Sequence, residues 1–424
     1  MPNIPSLIDM ERTIVKNAFF NAFNKIKTSN IINRTILQKS LRLSSEYDCN
    51  IFFKREDLQT VRSFKIRGAY NKITNSMGDR KTKMVTVSAG NHASGVALTC
   101  NTLNLKHDIF VPENTPLQKI NRIKDFGGDR LTLHLQGQNF DESSVYAKAF
   151  CEKNKGIFVH PFSDPDVIIG NGTVATEIYE DINPDAIICP VGGGGFISGV
   201  GLFSKNMNKD CMIVGVEPEN ADSMKQSLLN NKITTISNLN TFVDGASVKT
   251  VGKQNFEICK EVVDDMFTVS NEMLCYDMID IYQKDGIVLE PAGTLSVSCL
   301  RSLDKDLIRG KNIVCVLSGG NNDISRYPEI MEKSLLYQDL KHYFLVSFVQ
   351  RPGELRNFIN NVIGKDDDIT RFEYFKKNNK DFGTVLVGIE LQSSNIDNIT
   401  SKFKSSGFKY IKISEDNLLY NYLI

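Results

Sequence analysis

The segment from Ala186 to Phe203 contains no charged residue, and its apolar run is interrupted by Pro190 and by four consecutive glycines, Gly192–Gly195. An uncharged segment of this length is long enough to be considered as a membrane-spanning helix. A run of glycines destabilises any helix, however, whereas a tight turn between a strand and a helix favours residues without a side chain. We therefore predict a buried strand, a glycine turn and a helix here, and no membrane partner.

Short β-rich runs alternate with helical stretches between about residue 50 and residue 321. Several runs are apolar throughout, which is typical of strands that are buried on both faces of a parallel sheet. The repetition of strand, helix and strand predicts an α/β fold with a mainly parallel sheet. The predicted strands are Ile51–Lys54, Met84–Val87, Asp108–Val111, Leu131–Leu135, Ala186–Val191, Met212–Val216 and Ile313–Leu317, and the predicted helices include His92–Leu103, Asp141–Asn154 and Met273–Asp285.

The pattern changes after Asn322. A charged stretch is predicted to be a helical connector, and the β-α-β-β-α-β order that follows it is the ferredoxin-like pattern of a small α+β domain. We therefore divide the chain into an α/β region, residues 1–326, a connector, residues 327–341, and a C-terminal domain, residues 342–424. The elements predicted in this domain are the strands His342–Val349, Ile369–Lys376, Thr384–Glu390 and Tyr410–Ile413 and the helices Leu355–Val362 and Ile396–Ser405.

The bulk properties of the chain exclude several classes of function. A length of 424 residues exceeds what one compact core usually holds, so two or three domains are expected. The 50 basic residues are balanced by 50 acidic ones, which favours neither a nucleic acid nor an anionic membrane as partner. No secretory signal is predicted from Met1–Ile26, because no apolar core and cleavage site follow a basic start. The nine scattered cysteines form no C-x-x-C pair, which predicts reduced thiols in a cytoplasmic protein and no metal site.

Lys65 lies in the motif Ser63-Phe64-Lys65-Ile66-Arg67-Gly68, at the predicted start of a helix. Its neighbours Phe64 and Ile66 are expected to remove the amine partly from water. Desolvation lowers the pKa of an amine and lets it form a Schiff base with an aldehyde. A single lysine on a helix is more often an ordinary surface residue, so this motif alone does not assign a function.

Two further turns between a strand and a helix are suited to anions. The segment Ser88-Ala89-Gly90-Asn91-His92 follows the predicted strand Met84–Val87, and its small residues let backbone N–H groups converge on a carboxylate. The glycines of Gly192–Gly195 leave N–H groups bare for a phosphate at the start of a helix. Their spacing matches neither G-x-G-x-x-G nor G-x-x-x-x-G-K-[ST], so dinucleotides and nucleoside triphosphates are not indicated. Taken alone, the first segment is equally compatible with an ordinary helix cap. For the second, a flexible turn is the weaker interpretation, because ordering four glycines in a buried turn costs much conformational entropy.

Ser318 follows the predicted strand Ile313–Leu317, at the start of Ser318-Gly319-Gly320-Asn321. A hydroxyl at the carboxyl end of a buried strand can bond a ligand, although a turn serine without a ligand is the simpler interpretation of this segment alone. Because all three turns follow strands, we expect them to converge on one edge of the sheet. Together with Lys65 they supply an amine, a phosphate cradle, a carboxylate site and a partner for a ring nitrogen. Pyridoxal phosphate requires this set of groups.

These motifs resemble those of the tryptophan-synthase-β (fold type II) family of pyridoxal phosphate enzymes, and within it those of the threonine dehydratases. The resemblance extends over nearly the whole chain and implies a two-subdomain α/β catalytic domain with mainly parallel sheets. The segment Phe348–Leu355 resembles the ACT-like regulatory domain of biosynthetic members, and the length leaves room for one copy. The other motifs that carry the resemblance include S-F-K-I-R-G at 63–68, S-A-G-N-H-A at 88–93, G-G-G-G-F at 192–196, S-G-G-N at 318–321, Asp244-Gly245-Ala246 and Glu290-Pro291-Ala292-Gly293.

The resemblance implies a role for each motif. Lys65 would bind pyridoxal phosphate as a Schiff base and abstract the α-proton of L-threonine. Asn91 would bond the ring hydroxyl and Ser318 the ring nitrogen, with Phe64 and Phe196 beside the cofactor. The implied reaction is the β-elimination of water, which gives 2-oxobutanoate and ammonia, and L-serine is a second candidate substrate. The phosphate would be held by Gly192, Gly193, Gly194 and Gly195, and the substrate carboxylate by Ser88, Ala89, Gly90, Asn91 and His92.

For regulation, the resemblance implies that the C-terminal domain senses isoleucine, the end product of the pathway. It also implies a homotetramer in the cytoplasm. The turn formed by Arg351, Pro352, Gly353 and Glu354 is the expected regulatory segment.

Other functions are compatible with the same sequence. Serine dehydratase, threonine synthase and cysteine-synthase-type β-replacement share the fold, and a fold does not settle the reaction. The regulatory tail favours a biosynthetic dehydratase over a catabolic one. A non-catalytic amino-acid sensor is an alternative of another class, and the retention of Lys65 with all its partner motifs argues against it.

Overall fold

The computed structural model describes residues 7, 12–78, 82–375, 381–414 and 420. The chain divides into two compact units. The larger unit comprises the residues up to Leu274 together with Ile281–Asp323, and the smaller unit comprises Cys275–Asp280 and the residues from Ile324 onwards. Throughout these described ranges, no helix is long and apolar enough to cross a membrane.

The strands and helices are numbered here in chain order. The strands are β1 (Leu37–Lys39), β2 (Asn50–Arg55), β3 (Met84–Val87), β4 (His107–Val111), β5 (Leu131–Leu135), β6 (Ile157–Phe158), β7 (Ala186–Pro190), β8 (Met212–Pro218), β9 (Asp265–Val269), β10 (Asn312–Leu317), β11 (Lys341–Val349), β12 (Asp368–Tyr374), β13 (Phe382–Glu390) and β14 (Lys409–Ile413). The helices are α1 (Arg12–Lys27), α2 (Leu41–Tyr47), α3 (Lys65–Ser76), α4 (Asn91–Thr102), α5 (Leu117–Gly127), α6 (Phe140–Lys153), α7 (Pro165–Asp181), α8 (Gly195–Met207), α9 (Ser223–Leu229), α10 (Lys253–Val262), α11 (Asn271–Asp285), α12 (Pro291–Ser298), α13 (Lys305–Ile308), α14 (Tyr327–Tyr337), α15 (Glu354–Val362) and α16 (Ile396–Ser405).

The first sheet of the larger unit has six strands in the order β1-β2-β10-β7-β8-β9. All neighbouring pairs are parallel except β1 and β2, which are antiparallel at one edge. Alternate residues of β10 pack into different cores: Val314 and Val316 belong to one cluster, and Ile313, Cys315 and Leu317 belong to another. Both faces of this strand are therefore buried, which explains why its sequence is continuously apolar.

The second sheet of the larger unit has four parallel strands in the order β5-β4-β3-β6. Each strand is followed along the chain by a helix, as parallel connections require. Strands β3 and β4 are buried at every position. The segment Ser88–His92 leaves this sheet at the carboxyl end of β3.

The smaller unit contains the predicted ferredoxin-like pattern, from β11 through α15, β12, β13 and α16 to β14. Its antiparallel sheet has the order β12-β13-β11-β14. One face is covered, because Phe344 and Phe348 of β11 pack with Phe358 of α15 and Phe403 of α16 in one buried cluster. The predicted fold class is therefore confirmed for this unit.

The predicted elements are present, and their ends differ from the prediction by at most two residues. The predicted connector contains α14, and β11 already begins at Lys341. The last predicted residue of one strand, Lys376, lies outside the described residues. The strands β1, β6 and β9 were not predicted. The first two are only three and two residues long, and β9 begins with Asp265. Pairing with neighbouring strands, more than an apolar run, defines all three.

One expectation about the sheet is wrong. The three small-residue turns do not lie on one sheet edge, because Ser88–His92 follows β3 in the four-stranded sheet, whereas Gly192–Gly195 and Ser318 follow β7 and β10 in the six-stranded sheet. Apolar strand runs look alike in sequence whichever sheet they join, so the number of sheets could not be read from the pattern.

Candidate active site

Lys65 is the first residue of α3, and the backbone before it is anchored at the end of β10. The N–H of Phe64 donates to the carbonyl oxygen of Ser318 at 3.2 Å, and Ser63 forms an isolated bridge with Gly319. The Lys65 Nζ donates to the carbonyl oxygen of Pro161 at 3.1 Å. These contacts bring together Lys65 and Ser318, which are distant in sequence.

The environment of the Lys65 amine suits nucleophilic chemistry. Burial lowers the pKa of this amine to about 8, against the opposing attraction of the Glu290 carboxylate. The Phe64 ring centroid lies 5.2 Å from Nζ. Because a larger share of such an amine is unprotonated at neutral pH than for an ordinary lysine, Lys65 has the property that Schiff-base formation requires.

The four glycines form a turn whose N–H groups the protein leaves bare. Strand β7 ends at Pro190 and α8 begins at Gly195, with Gly194 in the left-handed region at φ 85°. Within the described ranges, no hydrogen bond uses the N–H of Gly192, Gly193 or Gly194. Bare N–H groups at the start of a helix form a site for a phosphate.

Glycine is required in this turn because Phe162 packs directly on it. A Cβ added to Gly193 would lie 2.4 Å from the Phe162 ring, and one added to Gly195 would lie 2.2 Å from the Phe162 carbonyl oxygen. Side chains at these positions would therefore displace either the turn or Phe162.

Two cavities meet at Lys65. The smaller, of about 50 Å³, is lined by Gly192–Gly195 and Ser318 and by Phe64 and Phe196, whose ring centroids lie 4.3 Å apart. The larger, of about 520 Å³, is lined by residues that include Ser88–His92. The structure thus places all the predicted cofactor and carboxylate groups around one site, although they come from two sheets. Bare N–H groups, an amine and a buried hydroxyl together fit pyridoxal phosphate.

Asn91 is held on both sides of its amide. Its Nδ2 donates to Oε1 of Glu290 at 2.7 Å, and its Oδ1 accepts a hydrogen bond from Nδ2 of Asn321 at 2.7 Å. The neighbouring His92 ring is buried and its Nε2 lies 3.0 Å from the carbonyl oxygen of Val159. Burial lowers the pKa of His92 to about 3, so the ring is neutral at neutral pH.

Glu290 is a site residue that sequence reasoning missed. It lines the larger cavity together with Lys65, and burial raises the pKa of its carboxyl group to about 7. Both Glu290 and Asn321 lie within motifs that carry the family resemblance, so the sequence marked these segments as important. Neither motif indicated that its residue would hydrogen-bond with Asn91. Pro161 and Phe162 belong to no recognisable motif. Pro161 contacts Lys65 through its backbone oxygen and Phe162 packs on the glycine turn, and neither contact leaves a sequence pattern.

The predicted regulatory residues belong to the smaller unit. Nε of Arg351 donates to Oε2 of Glu354 at 2.8 Å, and Oε1 of Glu354 accepts from Asn357 at 3.2 Å. The hydrogen bond from Arg351 lowers the pKa of Glu354. Gly353, at φ 88°, precedes the first residue of α15. Pro352 lies between them, so the four residues form one turn at a helix start.

The fold and the site define an α/β enzyme of the class that uses pyridoxal phosphate. A family model described as pyridoxal-phosphate dependent enzyme matches residues 28–319, and a model of the C-terminal regulatory domain of threonine dehydratase matches residues 332–423. The chain therefore belongs to the pyridoxal-phosphate dependent enzyme family, and it carries the threonine dehydratase regulatory domain. Pyridoxal phosphate is its cofactor.

Relatives of known name are similar over nearly the whole chain. The biosynthetic L-threonine dehydratase IlvA of Bacillus subtilis is 45% identical over 398 residues, which cover 93% of this chain and 94% of that protein. The protein of the same name from Staphylococcus aureus is 46% identical over 424 residues, covering 98% of this chain and all of that protein. Both similarities therefore include the two units.

Solved structures resemble the larger part of the chain. Threonine deaminase isoform 2 from Solanum lycopersicum, in its processed form, has a TM-score of 0.70 and 36% identity, covering 75% of this chain and 94% of that one. Serine racemase from Dictyostelium discoideum has a TM-score of 0.67 and 30% identity, covering 73% of this chain and 99% of that one. Enzymes that act on different amino acids thus share this fold.

Proposed function

We propose that the chain is an L-threonine ammonia-lyase, which removes water from L-threonine and yields 2-oxobutanoate and ammonia as the first step of isoleucine biosynthesis. The observation that carries this proposal is the similarity to biosynthetic L-threonine dehydratases across both units. The geometry around Lys65 supports it. The amine lines one cavity with the glycine turn Gly192–Gly195 and another with Ser88–His92, the segments proposed to bind the phosphate and the substrate carboxylate.

Different residues of the chain would bind different parts of the cofactor. Pyridoxal phosphate, when bound, supplies an aldehyde carbon and an electron-withdrawing ring that acidifies the α-proton of an amino acid. Lys65 would hold the cofactor by its aldehyde carbon, and its Nζ would be the base that accepts the α-proton of the substrate. The N–H groups of Gly192–Gly195 hold the phosphate. The Ser318 hydroxyl is a neutral partner for the ring nitrogen, which favours elimination because it does not force that nitrogen to be protonated.

Substrate orientation comes from the four-stranded sheet. The N–H groups at the start of α4, within Ser88–His92, bind the carboxylate of the amino acid. Hydrogen bonds with Glu290 and Asn321 hold the Asn91 amide in one orientation. In that orientation it would bond the ring hydroxyl of the cofactor. The substrate is thereby held between groups from the two sheets, with its α-carbon towards Lys65.

L-Serine is the second candidate substrate, because the Dictyostelium serine racemase shares the fold of the larger unit. Formation of 2-oxo acid should be measured from L-threonine, L-serine and O-acetylserine, each with and without isoleucine. We expect the highest kcat/KM with threonine, and inhibition by isoleucine. Conversion of serine to its D-enantiomer, or consumption of O-acetylserine without 2-oxo acid, as the main activity would replace the proposal by racemisation or β-replacement.

The effector, the assembly and the compartment belong to the same proposal. We assign isoleucine as the effector of the smaller unit, with the turn Arg351–Glu354 contributing to its response. The matching regulatory domain supports an effector site there. We also propose a homotetramer in the cytoplasm, to be checked by sedimentation of the purified protein and by cell fractionation.

A further inference from the structure

A buried asparagine contacts the glycine turn without lining the smaller cavity. Asn255 belongs to the first turn of α10, is fully buried, and lines neither of the two cavities that meet at Lys65. Its Nδ2 donates to the carbonyl oxygen of Gly193 at 2.6 Å and to that of Phe162 at 3.1 Å. No described residue donates a hydrogen bond to its Oδ1. Because both neighbours are acceptors, the amide nitrogen must face the turn.

This contact sets the direction of one peptide group. In a trans peptide the C=O and the N–H point in opposite directions, so a Gly193 carbonyl that is directed at Asn255 turns the Gly194 N–H away from Asn255. Gly193 and Gly194 line the smaller cavity, whereas Asn255 does not. Glycine tolerates several backbone conformations of similar energy, so four in succession do not fix this orientation by themselves.

The second hydrogen bond ties the same amide to Phe162. The Phe162 ring and carbonyl oxygen are the atoms that a Cβ on Gly193 or Gly195 would meet. The Asn255 amide group therefore binds both the glycine turn and Phe162, which packs on that turn.

We propose that Asn255 is a positioning residue for the cofactor phosphate: it orients the Gly193–Gly194 peptide so that the Gly194 N–H faces the phosphate site. The inference rests on the proposed function only through the identity of the cofactor. It concerns affinity for the phosphate and not the reaction at Lys65.

The test compares pyridoxal 5′-phosphate with pyridoxal, which carries the same ring and aldehyde without the phosphate. Binding of each to the cofactor-free full chain is measured by absorbance titration for the parent protein, Asn255→Ala and Asn255→Leu. Leucine keeps most of the volume but removes the donor. We expect both variants to bind pyridoxal 5′-phosphate about 10-fold or more weakly, while pyridoxal binding is unchanged. The Phe162 carbonyl loses its Asn255 donor, and the Gly193 carbonyl keeps only the longer hydrogen bond from the Gly252 N–H at 3.4 Å, so the peptide is held less firmly.

Asn206→Ala is the matched control. Asn206 lies on α8 and donates to the carbonyl oxygen of Leu202 at 2.7 Å, away from the glycine turn, so its loss should leave the affinity for both ligands unchanged. Equal weakening of pyridoxal and pyridoxal 5′-phosphate in the Asn255 variants, loss of both through misfolding, or no change in either would overturn the proposal. Failure of the parent protein to bind pyridoxal 5′-phosphate would instead refute the proposed function.

Discussion

At the scale of single residues, the functional groups owe their properties to burial more than to their identity. Lys65 and Glu290 line the same cavity, and burial shifts both pKa values towards neutrality, the amine down to about 8 and the carboxyl up to about 7. Each residue would be ordinary on a surface. Their shifted pKa values therefore arise from burial around one cavity.

Replacing Lys65 by alanine should abolish turnover of threonine. The variant loses both the amine that captures the aldehyde and the base that accepts the α-proton, so kcat should fall by several orders of magnitude. Because Lys65 lies on a cavity wall, the thermal unfolding temperature of the cofactor-free protein should change little. Turnover near that of the parent protein would refute the assigned role, and Lys72→Ala, on the same helix, is the control that should remain active.

Replacing Glu290 by glutamine should change the pH dependence of stability. The folded pKa of about 7 lies above the ordinary value of 4.5, so the folded state binds more protons between these values and loses stability as the pH rises through that window. The glutamine still accepts from Asn91 but does not titrate. Above pH 7 the cofactor-free variant should therefore be more stable than the parent by up to roughly 3 kcal/mol, a difference that disappears below about pH 4.5.

Denaturant unfolding at several pH values, with both proteins free of cofactor, measures this difference. Glu217, whose pKa is raised to about 8 by burial, is present in both proteins and cancels in the comparison. A stability difference that stays constant from pH 4.5 to pH 8 would show that Glu290 does not titrate in this range.

At the scale of elements, the glycine turn depends on how closely α7 and α8 approach. A Cβ added to Gly199 of α8 would lie 2.2 Å from the carbonyl oxygen of Ile168 and 3.0 Å from the Cα of Gly172, both on α7. These two helices therefore touch backbone to backbone. Since α8 begins with the last glycine of the turn, its position also sets the position of the proposed phosphate site.

Gly199→Ala should force α7 and α8 apart and destabilise the protein by about 1–3 kcal/mol, the usual cost of adding atoms to a tight interface. The expected result is a lower thermal unfolding temperature and weaker binding of pyridoxal 5′-phosphate. Gly78→Ala is the control, because a Cβ there would meet nothing within 4 Å. Equal unfolding temperatures for the two variants would mean that the helices can separate at no cost.

At the scale of the whole molecule, the two matched segments suggest a division between catalysis and regulation. The smaller unit begins its continuous part at Ile324, and the matching regulatory domain starts at residue 332. A chain truncated after Asp323 should keep dehydratase activity and lose its response to isoleucine. Allosteric coupling typically changes affinity by about 5–150-fold, and this change should vanish in the truncated protein.

Isoleucine titrations of activity for the full and truncated chains measure the effect, and sedimentation of both distinguishes sensing from assembly. Identical inhibition curves would exclude the smaller unit as the sensor. A full chain that does not respond to isoleucine would exclude isoleucine as the effector. If truncation changes the assembly but leaves the response intact, the unit serves assembly only.

The sequence by itself determined the features that arise from local interactions. Strands such as β7 and β10 were predictable because strands buried on both faces have nearly continuous apolar runs, and the turns after them because small residues end each run. The βαββαβ order of the smaller unit followed from the same periodicities. Lys65, Gly192–Gly195 and Ser318 were selected from their motifs, and the family resemblance supplied the roles proposed for them.

Only the tertiary structure decided which distant side chains meet. Asn91 contacts Glu290 across 199 positions, and Asn255 contacts Gly193 across 62 positions. Neither contact can be predicted from sequence periodicity. A single hydrogen bond between distant segments depends on how whole helices and strands pack together. For the same reason the turns proved to lie on two sheets. The pKa values of Lys65 and Glu290 are likewise properties of the folded chain, since burial is produced by residues far away in sequence.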